Sequence, residues 1–207
     1  MFKRIVQTKE ALQELLGTPS PLAIHKVIEG LDRHCETFIA QSPCLLLATA
    51  DKSGKCDVSP RGDQPGFVSV LDRKHLLIPE RRGNKRFDSL YNILENPHIG
   101  MIFLIPGLRE TLRVNGKAAI VMDEELLAPL AVSGKTPAVG IGVEVEECFI
   151  HCGKAMIRSN LWNPSSWIPD EQLPRAAEIL AAHAKKTAQT EQEIETGLNE
   201  AYTKRIY

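Results

Sequence analysis

Residues 44–150 form a series of short apolar segments separated by turn-forming residues. The first segment, 44–50, ends at Asp51-Lys52-Ser53-Gly54, a sequence typical of a hairpin turn. One helical pattern interrupts the series at 86–95, and Asn96-Pro97 ends it. The remaining strand candidates are 55–60, 66–71, 75–79, 99–105, 111–122 and 138–150. Many short strands with so few crossover helices favour a closed antiparallel barrel over a parallel sheet.

Helical patterns flank this β-region at both ends. Ser20-Pro21 is a typical helix start, and the apolar spacing over 22–39 fits one long helix or two shorter ones. A weaker helical signal covers 8–17, and two further helices are expected within 173–202. The sequence therefore predicts a single, mainly β domain of the α+β class over 1–207. Its parts are a helical lead-in (1–43), a barrel core (44–163) and a helical C-terminal extension (164–207).

Charge and hydropathy exclude several kinds of partner. The formal net charge of −1 gives no overall attraction to nucleic acid or to an anionic membrane surface. The longest apolar run, 99–105, is interrupted by Gly100 and is far shorter than the ~18 residues of a membrane span. The five cysteines include no CxxC pair, and the N-terminus lacks the apolar core of a signal peptide. We therefore expect a cytoplasmic protein with reduced thiols.

A basic segment at 79–86, Pro-Glu-Arg-Arg-Gly-Asn-Lys-Arg, stands between a strand candidate and the following helix. Gly83 lets the backbone approach a ligand closely, and the helix that begins near Arg86 presents unpaired N–H groups. Arg82, Lys85 and Arg86 can add charge-assisted hydrogen bonds to an anion. The alternative is a solvated basic turn. The sequence contains neither a P-loop nor a GxGxxG dinucleotide fingerprint.

Other chemically active side chains give weaker signals. Arg61 and Arg113 lie in two further segments rich in glycine, proline and arginine, but each one alone fits an ordinary surface arginine. Cys148 and His151 are close in sequence, yet strand residues at this spacing point to opposite faces. We therefore expect no metal site and no Cys–His nucleophile there. No catalytic residue can be assigned.

Several motifs follow one another in a distinctive order along the chain. They are Val58-Ser59-Pro60-Arg61-Gly62-Asp63, Pro65-Gly66-Phe67-Val68, Arg82-Gly83-Asn84-Lys85-Arg86, Asn92-Ile93-Leu94-Glu95-Asn96-Pro97, Phe103-Leu104-Ile105-Pro106-Gly107 and Glu110-Thr111-Leu112-Arg113-Val114-Asn115-Gly116. Through these motifs, residues 44–163 resemble the pyridoxamine-phosphate-oxidase-like FMN-binding proteins. The run from Phe149 to Ala155, followed by Arg158-Ser159 and Leu161-Trp162, resembles one branch of that family, distinct from pyridoxamine-phosphate oxidase proper.

The resemblance implies a six-stranded antiparallel split β-barrel that forms an obligate homodimer and binds FMN between its subunits. The residues that it places at the phosphate are Arg82, Gly83, Asn84, Lys85 and Arg86. The residues that it places near the flavin on the same chain are Ser59, Pro60, Arg61, Gly62 and Pro79. Those that approach the flavin or its phosphate from a neighbouring strand are Glu110, Thr111 and Arg113. The partner subunit would contribute His151, Lys154, Arg158 and Trp162.

Three functions are compatible with this resemblance. The sequence 202–207 lacks the arginine–histidine element of genuine pyridoxamine-phosphate oxidases, so oxidation of that substrate is not expected. An FMN-dependent oxidoreductase acting on a small organic substrate fits best, because the flavin carries the chemistry. One alternative is a non-catalytic FMN carrier or sensor. The other is a haem-binding relative of the same fold, whose candidate ligands are His25, His34, His75, His98, His151 and His183.

Overall fold

A seven-stranded antiparallel sheet forms the centre of the protein, whose computed structural model describes residues 1–207. The strands are β1 (Cys44–Ala50), β2 (Cys56–Gly62), β3 (Ser69–Val70), β4 (His75–Pro79), β5 (His98–Leu104), β6 (Thr111–Val121) and β7 (Gly140–His151). Hydrogen-bonded neighbours follow the order β2-β1-β5-β6-β7-β4-β3. The expected mainly β fold with flanking helices is therefore confirmed. The sheet has one strand more than the expected six, and the shortest strand is the two-residue β3 beside β4.

Eight α-helices accompany the sheet. They are α1 (Lys9–Leu16), α2 (Pro21–His25), α3 (Arg33–Gln41), α4 (Asp88–Glu95), α5 (Glu124–Leu127), α6 (Lys154–Ser159), α7 (Ala176–His183) and α8 (Glu191–Lys204). The pattern over 22–39 forms two helices because the chain between them pairs with the sheet, where Ile28 exchanges two backbone hydrogen bonds with Cys148 of β7. Thr8, Ser20 and Asp32 cap α1, α2 and α3 respectively. None of the helices is both long and apolar enough to cross a membrane.

The sheet wraps around one hydrophobic core of 21 buried residues. Alternate side chains of the central strands point into it, as Leu45 and Leu47 do from β1 and Met101 and Phe103 from β5. Ile39 of α3 is fully buried against the same core. Burying each such side chain stabilises the fold by about 1.5–3 kcal/mol, so this core holds the strands that position the site.

Side chains connect the two ends of the seven-stranded sheet. β2 and β3 are the edge strands, and no backbone ladder joins them. Arg61 of β2 forms an ion pair with Glu80, which directly follows β4. Close by, Arg81 Nε donates to Asp63 Oδ2 at 2.7 Å. Ion pairs therefore join β2 to the segment after β4, where the strand pattern predicts the strand pairing of a closed barrel.

Helix α4 begins two residues after the expected start near Arg86. Lys85 and Phe87 adopt left-handed backbone conformations, with φ angles of 61° and 59°, so the chain turns sharply before the helix. Asn92 then fixes α4 against β1, because its Nδ2 donates to Thr49 Oγ1 at 2.9 Å. This turn places the basic segment beside β2.

Helices α7 and α8 form the expected helical extension. Arg175, before α7, pairs with Glu191 at 2.9 Å and with Glu195 at 3.4 Å, both on α8. After α8 the Tyr207 hydroxyl donates to Asp63 Oδ1 at 2.6 Å. The C-terminal segment is thereby attached to the end of β2.

Candidate functional site

A cavity of about 410 Å³ lies between β2, the segment after β4 and the start of α4. We call it the basic cavity. Of its 17 lining residues only two, Phe67 and Phe87, are hydrophobic. It contains ten of the residues expected to bind the cofactor: Ser59, Pro60, Arg61, Gly62, Pro79, Arg82, Gly83, Asn84, Lys85 and Arg86. The structure therefore brings two separate segments of the sequence together at one polar site.

Two cations of the basic cavity lack a carboxylate partner. Arg61 is paired with Glu80, and Arg86 Nε donates to Asp88 Oδ2 at 2.5 Å. The hydrogen bond that Arg86 donates to Asp88 raises the pKa of Arg86, and the charge of Asp88 acts in the same direction. Arg82 and Lys85 are exposed and form no ion pair. They are therefore the cations most available to an anionic ligand.

A second ion pair supports the wall beside the cavity. Burial tends to raise the pKa of Asp63, but hydrogen bonds from Tyr207 and from the Gln64 N–H, together with the charge of Arg81, outweigh burial and lower it. Arg81 also donates from Nη1 to the Leu130 carbonyl at 2.8 Å. Arg81 is thus engaged on both sides, which leaves it less able to bind a ligand.

A hydrogen-bonded chain joins β2 to α4 at the back of the basic cavity. Ser89 Oγ donates to Asp57 Oδ2 at 2.7 Å and accepts from Ser59 Oγ, also at 2.7 Å. Ser89 is buried. Asp57 and Ser89 were not predicted as site residues, although the alternation of Asp57, Ser59 and Arg61 along one face of β2 was a usable signal for Asp57.

The start of α4, at Asp88 and Ser89, lines the basic cavity. Phe87 is the N-cap residue and no side chain caps the helix. The first backbone hydrogen bond runs from the Tyr91 N–H to the Phe87 carbonyl, so the N–H groups of residues 88–90 have no intrahelical partner. Arg61 Nε is also buried without a hydrogen-bond partner. Unpaired amides at a helix start and an incompletely satisfied arginine are the features of an anion site.

A larger cavity of about 850 Å³ adjoins the basic cavity. We call it the apolar cavity because ten of its 18 lining residues are hydrophobic. Its apolar wall consists of Phe87, Leu90, Tyr91, Leu94, Ile120, Met122, Val132, Ala138, Val139 and Tyr207. It shares Glu80, Arg81, Arg82, Gly83, Lys85 and Phe87 with the basic cavity. None of these apolar residues was predicted from the sequence to belong to a functional site. No histidine lines either cavity.

The family model of pyridoxamine 5'-phosphate oxidase matches residues 31–152, more than half of the chain. The chain belongs to the pyridoxamine 5'-phosphate oxidase family. The matched residues contain the whole basic cavity, all seven strands and helices α3, α4 and α5. The resemblance seen in the sequence motifs is therefore confirmed.

Solved structures of similar fold share little sequence with this pyridoxamine 5'-phosphate oxidase family member. HupZ of group A Streptococcus is 20% identical, with 58% of this chain and 93% of that chain covered and a TM-score of 0.48. General stress protein 26 of Bacillus anthracis is 16% identical, with coverages of 56% and 88% and a TM-score of 0.43. The heme storage protein HutZ of Vibrio cholerae is 13% identical, with coverages of 59% and 94% and a TM-score of 0.39. No curated protein sequence matches the chain significantly.

The other expected cofactor-binding residues lie away from the basic cavity, at the start of β6, the end of β7 and in α6. They are Glu110, Thr111, Arg113, His151, Lys154 and Arg158. The strand register runs from Arg61 through Leu45 and Phe103 to Leu112, which is three strands away. Three strand spacings amount to about 14 Å along the sheet. One chain therefore carries two separate groups of expected residues.

One cation of this second group, Arg113, lies over an aromatic ring. The Arg113 guanidinium carbon lies 5.7 Å from the centroid of the Phe149 ring, and Lys26 Nζ lies 5.0 Å from it. Trp162 is held by its own chain, because its Nε1 donates to the Leu108 carbonyl at 2.8 Å. Cation–π contacts of this kind keep positive charge at the ends of β6 and β7.

Proposed function

We propose that the protein binds FMN, with the phosphate in the basic cavity, and acts as an FMN-dependent oxidoreductase on a small organic substrate. The observation that carries the proposal is the convergence of Arg82, Lys85 and the free N–H groups of α4 on one cavity. Membership of the pyridoxamine 5'-phosphate oxidase family supports a flavin as the ligand. The single basic cluster at 82–86 and the lack of a GxGxxG fingerprint favour FMN over a dinucleotide.

The residues present fit a phosphate-bearing flavin. Arg82 and Lys85 would bind the phosphate together with the N–H groups at the start of α4. Glu80 holds Arg61 in place at the cavity wall through their ion pair, and the Nε of Arg61 is buried without a hydrogen-bond partner. Bound FMN would supply hydride or electron transfer, and the protein would supply binding, orientation and local charge.

We also propose that the protein is a homodimer with FMN between its subunits. The nearest strand of the second group, β6, lies about 14 Å across the sheet from Arg61, so we expect a second copy of the chain to bring this group to the flavin. On the outer face of the sheet, Val58 is 62% exposed and Leu46 is 37% exposed, which suits burial against a partner. Light scattering should report a dimer. A monomer that retains FMN stoichiometrically would contradict this arrangement.

Two measurements test the proposed function. Purified protein should be yellow and should release FMN, and not FAD, when it is denatured. Anaerobic addition of NADH or NADPH should then bleach the absorbance of the bound flavin, whereas a carrier or sensor would leave it oxidised. A haem protein would instead show a Soret band, and the absence of histidine from both cavities favours the flavin. Colourless protein that does not bind added FMN would refute the proposal.

A further inference from the structure

We infer that the apolar cavity is a substrate site for a small molecule with an aromatic body and one anionic group. The inference rests on the proposed function, because the neighbour that such a substrate meets is the FMN proposed for the basic cavity. The two cavities share a wall formed by residues 80–83, Lys85 and Phe87. A molecule in the apolar cavity therefore lies directly beside a ligand in the basic cavity.

Shape and wall chemistry indicate a small organic ligand. The volume of about 850 Å³ lies in the range of pockets that hold small molecules, and apolar walls with a few polar groups are typical of them. Leu90 and Leu94 lie one helical turn apart on α4 and form one wall, and Ile120 belongs to another. Leu94 is 72% exposed and Met122 is 73% exposed. Contact with an apolar ligand would remove this surface from water, which is favourable.

Two aromatic side chains favour a flat ring over a flexible chain as the ligand's body. Phe87 and Tyr91 pack edge to face, with ring centroids 6.2 Å apart and an interplanar angle of 89°. Both rings line the apolar cavity, and Tyr91 remains 60% exposed. An aromatic ligand can stack on, or pack edge to face against, the exposed part of this pair.

The charges of the apolar cavity favour one anionic group on that ligand. Its only acidic residue, Glu80, is already paired with Arg61. Arg82 and Lys85 are committed to the proposed FMN phosphate, which leaves Lys135 as the cation that lines the apolar cavity alone. Lys135 Nζ donates to the Tyr207 carbonyl at 2.9 Å. An ammonium has three donors, so Lys135 can bind a carboxylate or sulfonate as well.

Two fluorescent probes test the charge requirement on the full-length, FMN-loaded protein. 8-Anilinonaphthalene-1-sulfonate has an aromatic body and one anionic group, and N-phenyl-1-naphthylamine is close to its uncharged counterpart. Lys135→Gln should weaken binding of the sulfonate about tenfold and leave the uncharged probe unaffected. Lys52→Gln removes the same charge from an exposed turn outside the cavity and should change neither. Equal affinities for the sulfonate in wild type and Lys135→Gln would overturn the assignment of the anionic group.

A second pair of variants tests the position of the site. Ala138→Phe places a ring into the apolar cavity and should weaken both probes, whereas Ala131→Phe lies nearby but outside the lining and should not. FMN content is measured on both variants, and Ala138→Phe should retain it. Displacement of the probes by added FMN would overturn the inference, because the cavity would then hold the flavin itself. The protein could bind the probes in this cavity, with affinities that respond to Ala138→Phe and Lys135→Gln, and yet be unable to bind FMN. That result would refute the proposed function and, with it, the assignment of the cavity to a substrate.

Discussion

Replacing the two unpaired cations of the basic cavity should separate phosphate binding from all other contacts with a flavin. Hydrogen bonds to charged groups contribute about 1.5–3 kcal/mol each when they are well formed. Arg82 and Lys85 are exposed, so solvent screening reduces each contribution to about 1–1.5 kcal/mol. The Arg82→Ala/Lys85→Ala variant should therefore bind FMN about 30- to 150-fold more weakly. Riboflavin lacks the phosphate, and its affinity should not change.

Titration of each variant with both flavins, followed by the quenching of flavin fluorescence, measures this difference. Arg86→Ala should weaken FMN less than the double variant does, because Asp88 already holds the Arg86 guanidinium. Lys52→Ala/Lys55→Ala removes the same charge from the turn between β1 and β2 and should leave both affinities unchanged. An equal loss of affinity for FMN and riboflavin in the Arg82→Ala/Lys85→Ala variant would show that the phosphate does not lie in the basic cavity.

Three further predictions concern individual side chains. Ser89→Ala leaves Asp57 without its hydroxyl donor and should lower the free energy of unfolding by about 1–3 kcal/mol in urea titrations. The pKa of Asp63 is lowered in the folded protein, so Asp63→Asn should lower the free energy of unfolding most above about pH 4. This loss should disappear as the pH falls through the folded pKa of Asp63. A loss that is undiminished at acid pH would contradict this. Cys56 is exposed and should react quickly with a thiol reagent. The hydrogen bond that Cys148 donates to the Cys35 thiol, together with burial, raises the pKa of Cys148, which should react only on unfolding, as peptide mapping would show.

The strands were predictable because their pattern is local. The predicted segments 44–50 and 75–79 coincide with β1 and β4 to the residue, since apolar side chains and turn residues mark their ends. The start of α4 was not predictable. It depends on left-handed conformations at Lys85 and Phe87, which are residues that rarely adopt them and therefore give no signal in the sequence. The two-residue strand β3 exists only because the longer β4 is there to pair with it.

The part of the candidate site that lies in short, continuous motifs was predictable from the sequence. The segments around Arg61 and Arg82 could each be recognised, and the structure brings them together. The contact between Ser89 and Asp57 spans 32 residues and depends on the packing of α4 against β2, which no local pattern records. The apolar cavity is lined by Tyr207 and other distant residues that resemble ordinary apolar residues in the sequence. The group around His151 remains a prediction, because its role requires a second chain.

The sheet order has a consequence for when the basic cavity can form during folding. All of its lining residues lie between Asp57 and Ser89, yet β4 joins the rest of the sheet only through β7, residues Gly140–His151. A nascent chain in which β7 has not yet been synthesised therefore contains every lining residue of the cavity, but it lacks the strand that holds β4 near β2. Contacts of such long sequence separation form late, because loop closure must precede them. Flavin binding would consequently report completion of the fold, and a truncation within β7 should abolish it although no ligand-contacting residue of the cavity is removed.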